Sequence, residues 1–202
     1  MKSPRSKTVK EIYFPEPRLD GGLSVEAALA RRESVRHFTS QQLSLPALSQ
    51  ILWAAQGITR SWGGRTTPSA GALYPLEIYI ALRDGFFHYA PREHKLICIS
   101  DNNLIDPLAP VALGQQCISE AAAVVVIAAV YERIERKYGE RGRRYAKIEA
   151  GHAAQNILLQ AVSQGIGAVP VGAFHDEEAA KVLPLPHDHE PLYLIPLGYT
   201  RT

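Results

Sequence analysis

Two arginines and a serine alternate near the start of the chain, in the order Arg32, Ser34, Arg36. Alternate residues of an extended segment point to the same side, so two guanidinium groups and a hydroxyl can converge on one ligand. Forked guanidinium donors and a hydroxyl suit the oxygens of a phosphate group. The segment therefore predicts a phosphate site. The alternative is a basic helix end that faces solvent and complements the helix dipole.

Two further segments contain small residues that let a flat ligand approach the backbone. Residues 68–75, PSAGALYP, place small residues between two prolines and predict a rigid turn. Residues 165–174, GIGAVPVGAF, follow a predicted helix with a strand that contains proline and glycine, which leaves backbone groups outside the sheet ladder. Taken singly, each segment is also typical of an ordinary loop or strand.

The common catalytic and metal-binding motifs of other protein classes are missing. No glycine-rich nucleotide loop follows a predicted strand, and no Gly-x-Ser-x-Gly or His-Glu-x-x-His motif occurs. Residues 187–190, HDHE, lie between prolines in a predicted surface loop, so we expect no metal site there. Cys98 and Cys117 make neither a disulfide framework nor a thiolate metal site, and two buried free thiols are favoured over a single bridge.

Composition and charge exclude several classes of protein. With 202 residues, 46% hydrophobic and 21% charged, the chain is typical of one folded domain, and a net charge of +2 argues against nucleic-acid binding. Four glutamates are interleaved with seven basic residues over 132–149, which favours a solvated, self-paired face. The longest apolar run, 121–131, is too short to span a membrane and no secretion signal is present, so we expect a cytoplasmic protein.

Hydrophobic periodicity predicts the elements that position these segments. Helices are predicted from Ser24 to about Glu33, from Pro46 to about Gln56, over 151–164 and near 176–182. Strands are predicted over 77–82, 86–89, 95–99, 123–130, 168–173 and 192–199, with a largely helical connection over 101–119. Residues 1–22 lack periodicity and predict an N-terminal arm ahead of a single domain, 23–202. Helices mixed with grouped strands predict an α+β fold.

In order and spacing, these segments resemble the FMN-dependent nitroreductase superfamily, in particular its branch of SagB-type azoline dehydrogenases. The resemblance covers about residues 20–200. It rests on the Arg-x-Ser-x-Arg set, on PSAGALYPLEIY at 68–79 and on GHAAQNILLQAVSQGIGAVPVGAF at 151–174. It implies a nitroreductase-like α+β fold, in which helices flank a central mixed or antiparallel sheet, and a homodimer with FMN at the subunit interface.

The resemblance also assigns residues to the two ends of FMN. Its phosphate would be held by Arg32, Ser34 and Arg36, with Arg201 as a further basic ligand. The ribityl chain and the ring would be contacted by Pro68, Ser69, Ala70, Gln115 (or its neighbour Gln116), Val171, Gly172 and Ala173. The turn at 68–70 would reach the flavin of the partner subunit, and the backbone at 171–173 would face the N5–O4 edge. Ala72 stands where many relatives have asparagine, so we expect that polar contact to be missing.

The resemblance implies a ping-pong oxidoreductase, in which a donor reduces FMN at N5 and an acceptor then reoxidises it. In nitroreductase-like members the donor is NAD(P)H and the acceptor a nitroaromatic or a quinone. In azoline dehydrogenases the substrate is the donor and oxygen the acceptor. Lys137 and Tyr138 match a Lys-Tyr pair that such dehydrogenases carry ahead of the Gly-His-x-x-Gln helix, where it is linked to proton removal.

Two alternatives stay open. Lys137 and Tyr138 could be a surface lysine and a packed tyrosine on an amphipathic helix. The chain could also bind flavin without turnover, with Trp62 or Tyr74 blocking the substrate face, although either ring could equally stack on a planar substrate.

Overall fold

The computed structural model describes residues 10–200, which form one antiparallel sheet with helices on both faces. The strands are β1 (Glu11–Tyr13), β2 (Leu76–Leu82), β3 (Gly85–Ala90), β4 (Lys95–Ser100), β5 (Ala123–Ala129), β6 (Ile166–Ala168) and β7 (Glu190–Tyr199). The helices are α1 (Val25–Arg31), α2 (Leu45–Gln56), α3 (Ile105–Val111), α4 (Gln116–Ser119), α5 (Tyr131–Tyr138), α6 (Arg141–Ser163) and α7 (Asp176–Val182). The predicted α+β class is therefore confirmed.

The sheet has the strand order β1-β4-β3-β2-β5-β7-β6, and neighbouring strands are antiparallel throughout. Its first strand comes from the segment predicted as an N-terminal arm, where β1 pairs with β4 at one edge. The other edge is β6, three residues long. This arrangement places the segments before β2 and after β6 on opposite sides of the strand β5.

β5 is buried along its whole length because both of its faces are covered. Its sequence, AVVVIAA, is rich in β-branched residues that suit a strand between two layers. Val125 and Ile127 belong to the core shared with α2 and α6, whereas Val124 and Val126 belong to the core shared with α3 and α4. The sheet thus separates two hydrophobic layers.

Local signals mark the start of the first two helices and the end of the second, and Ser24 and Gly57 act as the sequence predicts. The Ser24 hydroxyl accepts the Ala27 N–H at 3.2 Å and begins α1. The Ser44 hydroxyl caps α2 in the same way, with a proline in the first turn, and Gly57 follows the last residue of that helix.

Two elements differ by more than two residues from the prediction. The helix predicted from 151 begins at Arg141, because Gly142 lets it pack closely on α5: a Cβ there would lie 3.0 Å from the Glu135 backbone nitrogen. The strand predicted over 168–173 instead spans Ile166–Ala168. Pro170 has no N–H to continue a ladder, and Val171 makes only an isolated bridge to β7.

Several sequence expectations concern side chains away from the sheet ends. Cys98 is half-buried and Cys117 buried, and both are free thiols. In the basic stretch, Arg136 pairs with Glu132 at 2.7 Å and Arg143 with Glu135 at 2.8 Å, as the predicted self-paired face requires. Glu149, which the prediction counted with this face, is buried instead. Over residues 10–200, no cluster of metal-ligating side chains occurs and no helix is long and apolar enough to cross a membrane.

Candidate functional site

The segment after α1, residues 32–39, is an extended strap that lies over β6 and the end of β7. The Val35 N–H donates to the Ala168 carbonyl at 3.0 Å, and the Thr39 N–H donates to the Tyr199 carbonyl at 2.8 Å. These two bonds fix the direction of the strap on the sheet. The predicted phosphate segment is therefore a supported backbone and not a frayed helix end.

Two glycines beneath the strap let it lie flat. Gly167 and Gly198 are paired across β6 and β7. A Cβ on Gly167 would come within 2.7 Å of Val35 Cγ1, and one on Gly198 within 2.7 Å of Phe38 Cβ. Val35 and Phe38 pack inward, whereas the predicted phosphate ligands Ser34 and Arg36 are exposed, as are Glu33 and His37, and Arg32 is half-buried.

Gln115 connects the region of α4 to the segment after β6. Its amide nitrogen donates to the carbonyls of Ala112, at 3.0 Å, and Ala173, at 2.9 Å. Both amide hydrogens are used, so Gln115 can offer a ligand its acceptor oxygen. The neighbouring Gln116 instead donates to Glu120 at 2.5 Å. Of the two glutamines considered from sequence, Gln115 is therefore the one that contacts the 171–173 segment.

The strap reaches the same α4 region through its other end. The Glu120 carboxylate accepts the Phe38 N–H at 3.1 Å. Burial raises the pKa of the Cys117 thiol, and the positive charge of Arg36 opposes that rise. Arg36 therefore lies near α4. The strap, Gln115 and the 171–173 segment form one group, which we call the strap group.

The backbone of the strap group is exposed at two neighbouring residues, Gly172 and Ala173. Val171 exchanges two hydrogen bonds with Leu194, at 2.8 and 3.0 Å, so its N–H is used within the sheet. Gly172 and Ala173 are exposed, and a Cβ on Gly172 would meet only the Tyr193 ring, at an ordinary 3.4 Å. Of the three residues predicted to offer backbone to a ligand, Gly172 and Ala173 have N–H groups outside the ladder.

The PSAGALYP segment forms a tight turn ahead of β2. The Ser69 hydroxyl accepts the Tyr74 N–H at 2.9 Å, and a single 3-10 turn follows at Ala70–Ala72. Gly71, Ala72 and Tyr74 have positive φ angles of 63°, 54° and 47°. Two non-glycine residues in this region are strained, so the turn depends on its contacts to keep its shape. We call residues 68–74 the PSA turn.

The predicted Lys-Tyr pair lies directly against the PSA turn. A Cβ on Gly71 would be 2.8 Å from the Tyr138 hydroxyl oxygen and 3.0 Å from Lys137 Nζ. The Tyr138 ring packs edge-on against Tyr145, with centroids 5.2 Å apart. Tyr138 is half-buried and Lys137 exposed. The fold thus brings an amine and a phenol to the turn.

Arg133 holds α5, and with it the Lys-Tyr pair, in this place. Its guanidinium donates to the Tyr74 carbonyl at 3.3 Å and pairs with Glu77 at 2.5 Å. Burial alone would raise the pKa of Glu77, but His88 and Arg133 outweigh it and hold that pKa at about 2. Glu77 is therefore ionised at neutral pH, which keeps α5 fixed to the start of β2.

Behind the PSA turn lies a buried carboxyl that the sequence analysis did not select. Glu149, on α6, is 2% exposed. Burial raises its pKa to about 7, against the lowering effects of Ser69, Gln56 and the charge of Arg65. The signal was present in the sequence: on one continuous helix, residue 149 falls on the same stripe as Ala146 and Ala153, which are buried.

The PSA turn, the Lys-Tyr pair and Glu149 form a second group, far from the strap group within one chain. The PSA turn precedes Leu76, which pairs with Ala129 at the last residue of β5. The strap is bonded to Ala168, which pairs with Leu197 of β7, and Leu197 pairs with Ala123 at the first residue of β5. The seven residues of β5 span roughly 20 Å. The two groups therefore lie diagonally across the sheet.

Comparison with known proteins gives a consistent result over most of the chain. The model of the nitroreductase family matches residues 29–199. A protein of Methanocaldococcus jannaschii that is named as a nitroreductase is 46% identical over 182 residues, which cover 87% of this chain and 91% of that protein. The trifolitoxin operon protein TfxC of Rhizobium leguminosarum biovar trifolii is 25% identical over 222 residues, covering 98% of this chain and 62% of that protein.

A solved structure agrees with the fold. A protein of Ralstonia eutropha, also named as a nitroreductase, is 31% identical and superimposes with a TM-score of 0.86. The match covers 95% of this chain and 90% of that one. Sequence and architecture therefore agree from the strap to the end of β7.

Proposed function

Because the chain belongs to the nitroreductase family, we propose that it is an FMN-dependent oxidoreductase that works as a homodimer. The observation that carries the proposal is the strap, a backbone held on the sheet by two hydrogen bonds, on which Ser34 and Arg36 are exposed and Arg32 is half-buried. FMN, when bound, supplies hydride transfer at N5, so the chain itself needs no metal or nucleophile. The residues of the chain bind and orient the cofactor.

The strap group fits the chemistry of FMN part by part. Two guanidinium groups and a hydroxyl match a phosphate dianion. The exposed backbone at Gly172 and Ala173 fits the electron-rich edge of the ring, because backbone N–H donors stabilise negative charge without a titratable group. The acceptor oxygen of Gln115 suits a polar hydrogen of the cofactor. Arg201 lies outside the described residues and stays a predicted phosphate ligand.

The distance between the two groups supports a homodimer. The PSA turn lies at one end of β5 and the strap at the other. If the PSA turn and the strap contact the same flavin, the two must therefore come from different copies of the chain. Each of two sites would combine the strap group of one subunit with the PSA turn of its partner.

We propose NAD(P)H as the donor and a small aromatic compound or quinone as the acceptor, in a ping-pong reaction. Trp62 is 70% exposed and offers a ring on which a planar substrate can stack. Tyr74 is held in place instead, because its hydroxyl accepts the Arg65 N–H at 3.2 Å and the guanidinium of Arg65 lies 4.5 Å from its ring centroid. This arrangement favours turnover over a protein that only stores flavin.

A second candidate function is the oxidation of an azoline ring with oxygen as acceptor. The contact of Lys137 and Tyr138 with Gly71 favours it, because the pair lies at the turn that would meet the flavin. One of the two side chains would take a proton from the carbon next to the one that is oxidised. The similarity to TfxC over nearly the whole chain is in keeping with this candidate.

The proposal is tested by titrating the purified dimer with FMN and with riboflavin, which lacks the phosphate. Loss of the charge-assisted contacts should weaken binding by about 100-fold or more. Equal affinities would overturn the strap as a phosphate site. Anaerobic mixing with NADH or NADPH, then with menadione or a nitroaromatic, tests the donor and acceptor. Reduction by an azoline peptide alone would select the second candidate, and photoreduced flavin that no acceptor reoxidises would indicate a non-catalytic protein.

A further inference from the structure

Within residues 10–200, Glu149 is the charged side chain that is almost completely buried, with 2% exposed. Neither carboxyl oxygen of Glu149 makes a well-aligned hydrogen bond with a described residue. The amide nitrogen of the buried Gln56 makes none either. Three such atoms in one place are unusual, because buried polar groups are nearly always hydrogen-bonded. A buried acceptor at this position therefore needs a donor.

The Ser69 hydroxyl is the donor that suits this position. Its oxygen accepts the Tyr74 N–H at 2.9 Å, so its own hydrogen is left to donate elsewhere. Ser69 also approaches the Glu149 carboxyl closely enough to lower its pKa. The oxygen of Gln56 accepts from Arg65 at 2.9 Å, and its amide nitrogen is left as a second donor near the carboxyl. Of the two donors, the Ser69 hydroxyl is the one that belongs to the PSA turn.

We propose that Glu149 is a positioning residue: its buried carboxyl accepts the Ser69 hydroxyl hydrogen and so fixes the PSA turn in the shape that meets the flavin. This inference rests on the proposed function. Glu149 itself lies behind the turn, on α6, and acts only through Ser69. The turn carries two strained non-glycine residues, Ala72 and Tyr74, so its shape depends on being anchored at Ser69.

The surroundings of the carboxyl fit an acceptor and not an ion-pair partner. From the loop before the turn, Arg65 faces it, but the guanidinium of Arg65 is bonded to Gln56 and stacked on Tyr74. From α2 it meets the neutral amide of Gln56. From α5, Lys137 lies against the turn at Gly71 and Arg133 donates to the Tyr74 carbonyl. The donors that face the carboxyl are thus the Ser69 hydroxyl and the Gln56 amide nitrogen, and the Ser69 hydroxyl is the one through which the carboxyl can act on the turn.

The test is a double-mutant cycle on FMN affinity. Glu149→Leu and Ser69→Ala should each weaken FMN binding by about 5- to 10-fold, the net effect of one hydrogen bond. Because both changes remove the same contact, the double variant should bind FMN no more weakly than either single variant. Glu149→Gln, whose amide oxygen can accept the same hydrogen bond, should stay within about twofold of wild type. Glu140→Gln, at an exposed position beside α6, is the matched control and should have no effect.

Two results would overturn the proposal: additive losses in the double variant, or a Glu149→Leu protein that binds FMN as wild type does. Wild-type protein that binds no FMN at all would instead refute the proposed function. The Glu149–Ser69 contact is then tested by urea unfolding of the same four flavin-free proteins. Non-additive shifts in the midpoint would support the contact, and additive shifts would overturn it. A folded Glu149→Gln protein keeps the comparison valid if the leucine variant does not fold.

Discussion

Replacing Glu149 by glutamine should stabilise the folded protein at pH 8 and have much less effect at pH 5. In the unfolded chain the carboxyl has its ordinary pKa of 4.5, whereas burial raises the folded value to about 7. Between these values the folded state binds one more proton than the unfolded state. Stability contributed by this group is therefore complete at low pH and is lost as the pH rises from 4.5 towards 7. Glutamine does not titrate, so it escapes this loss.

The size of the effect follows from the two pKa values. One unit of pKa difference corresponds to about 1.4 kcal/mol, so the advantage of Glu149→Gln should grow by about 2.5 kcal/mol between pH 5 and pH 8. Most of this growth should occur below pH 7, where only the unfolded carboxyl is ionised. Above pH 7 the advantage should level off. A carboxyl whose pKa is raised by folding cannot make the advantage of Glu149→Gln shrink as the pH rises.

Urea unfolding of wild type and Glu149→Gln at several pH values between 5 and 8 measures this difference directly. Other titrating groups are common to both proteins and cancel in the comparison. Glu140→Gln, which removes an exposed carboxyl, should run parallel to wild type. An advantage of Glu149→Gln that stayed constant across the range would show that the buried carboxyl keeps an ordinary pKa, and the reasoning from burial would then be wrong.

Three further predictions follow from the two groups of the site. Arg36→Ala should weaken FMN binding by roughly 10- to 150-fold, because it removes a charge-assisted contact, whereas Arg31→Ala, outside the alternating set, should change it little. Equal losses in a fluorescence titration would show that the phosphate ligands were assigned to the wrong residues of the segment. Lys137→Met combined with Tyr138→Phe should keep FMN bound and reducible by dithionite but abolish reduction by an azoline substrate; unchanged NAD(P)H-driven turnover of nitroaromatics, with no azoline substrate found, would make the pair structural. FMN should shift sedimentation towards the dimer by mass action, and a flavin-loaded monomer at micromolar concentration would contradict a shared site.

The elements were predictable wherever the periodicity was strong. The helix near 176–182 and the strands β2, β3, β4, β5 and β7 appear where the sequence places them, and the caps at Ser24 and Gly57 are local chemistry. The match to the nitroreductase family confirms the resemblance that the three segments carry. The start of α6 was missed because the charged residues around Gly142 hide a buried face, which only packing on α5 reveals.

The candidate site was predictable in composition but not in arrangement. Alternation drew attention to the strap, but the exposed residues there are the neighbouring pairs Glu33–Ser34 and Arg36–His37, so strict alternation does not describe it. The contact of the Lys-Tyr pair with Gly71 joins residues distant in sequence, so it depends on how α5 packs against the start of β2. Glu149 was counted with the solvated charges because the pattern of charges along the sequence does not distinguish an exposed carboxyl from a buried one. In the structure its side chain is buried.

The paired glycines beneath the strap have a consequence for how insertions would act. Gly167 and Gly198 leave room for the side chains of Val35 and Phe38, which are three residues apart. If one residue were added or removed between Val35 and Phe38, only one of the two side chains could keep its place above its glycine. Arg36 lies between them, so its position would change as well. Which residues can bind phosphate is thus decided partly by two residues without side chains, on the strands below.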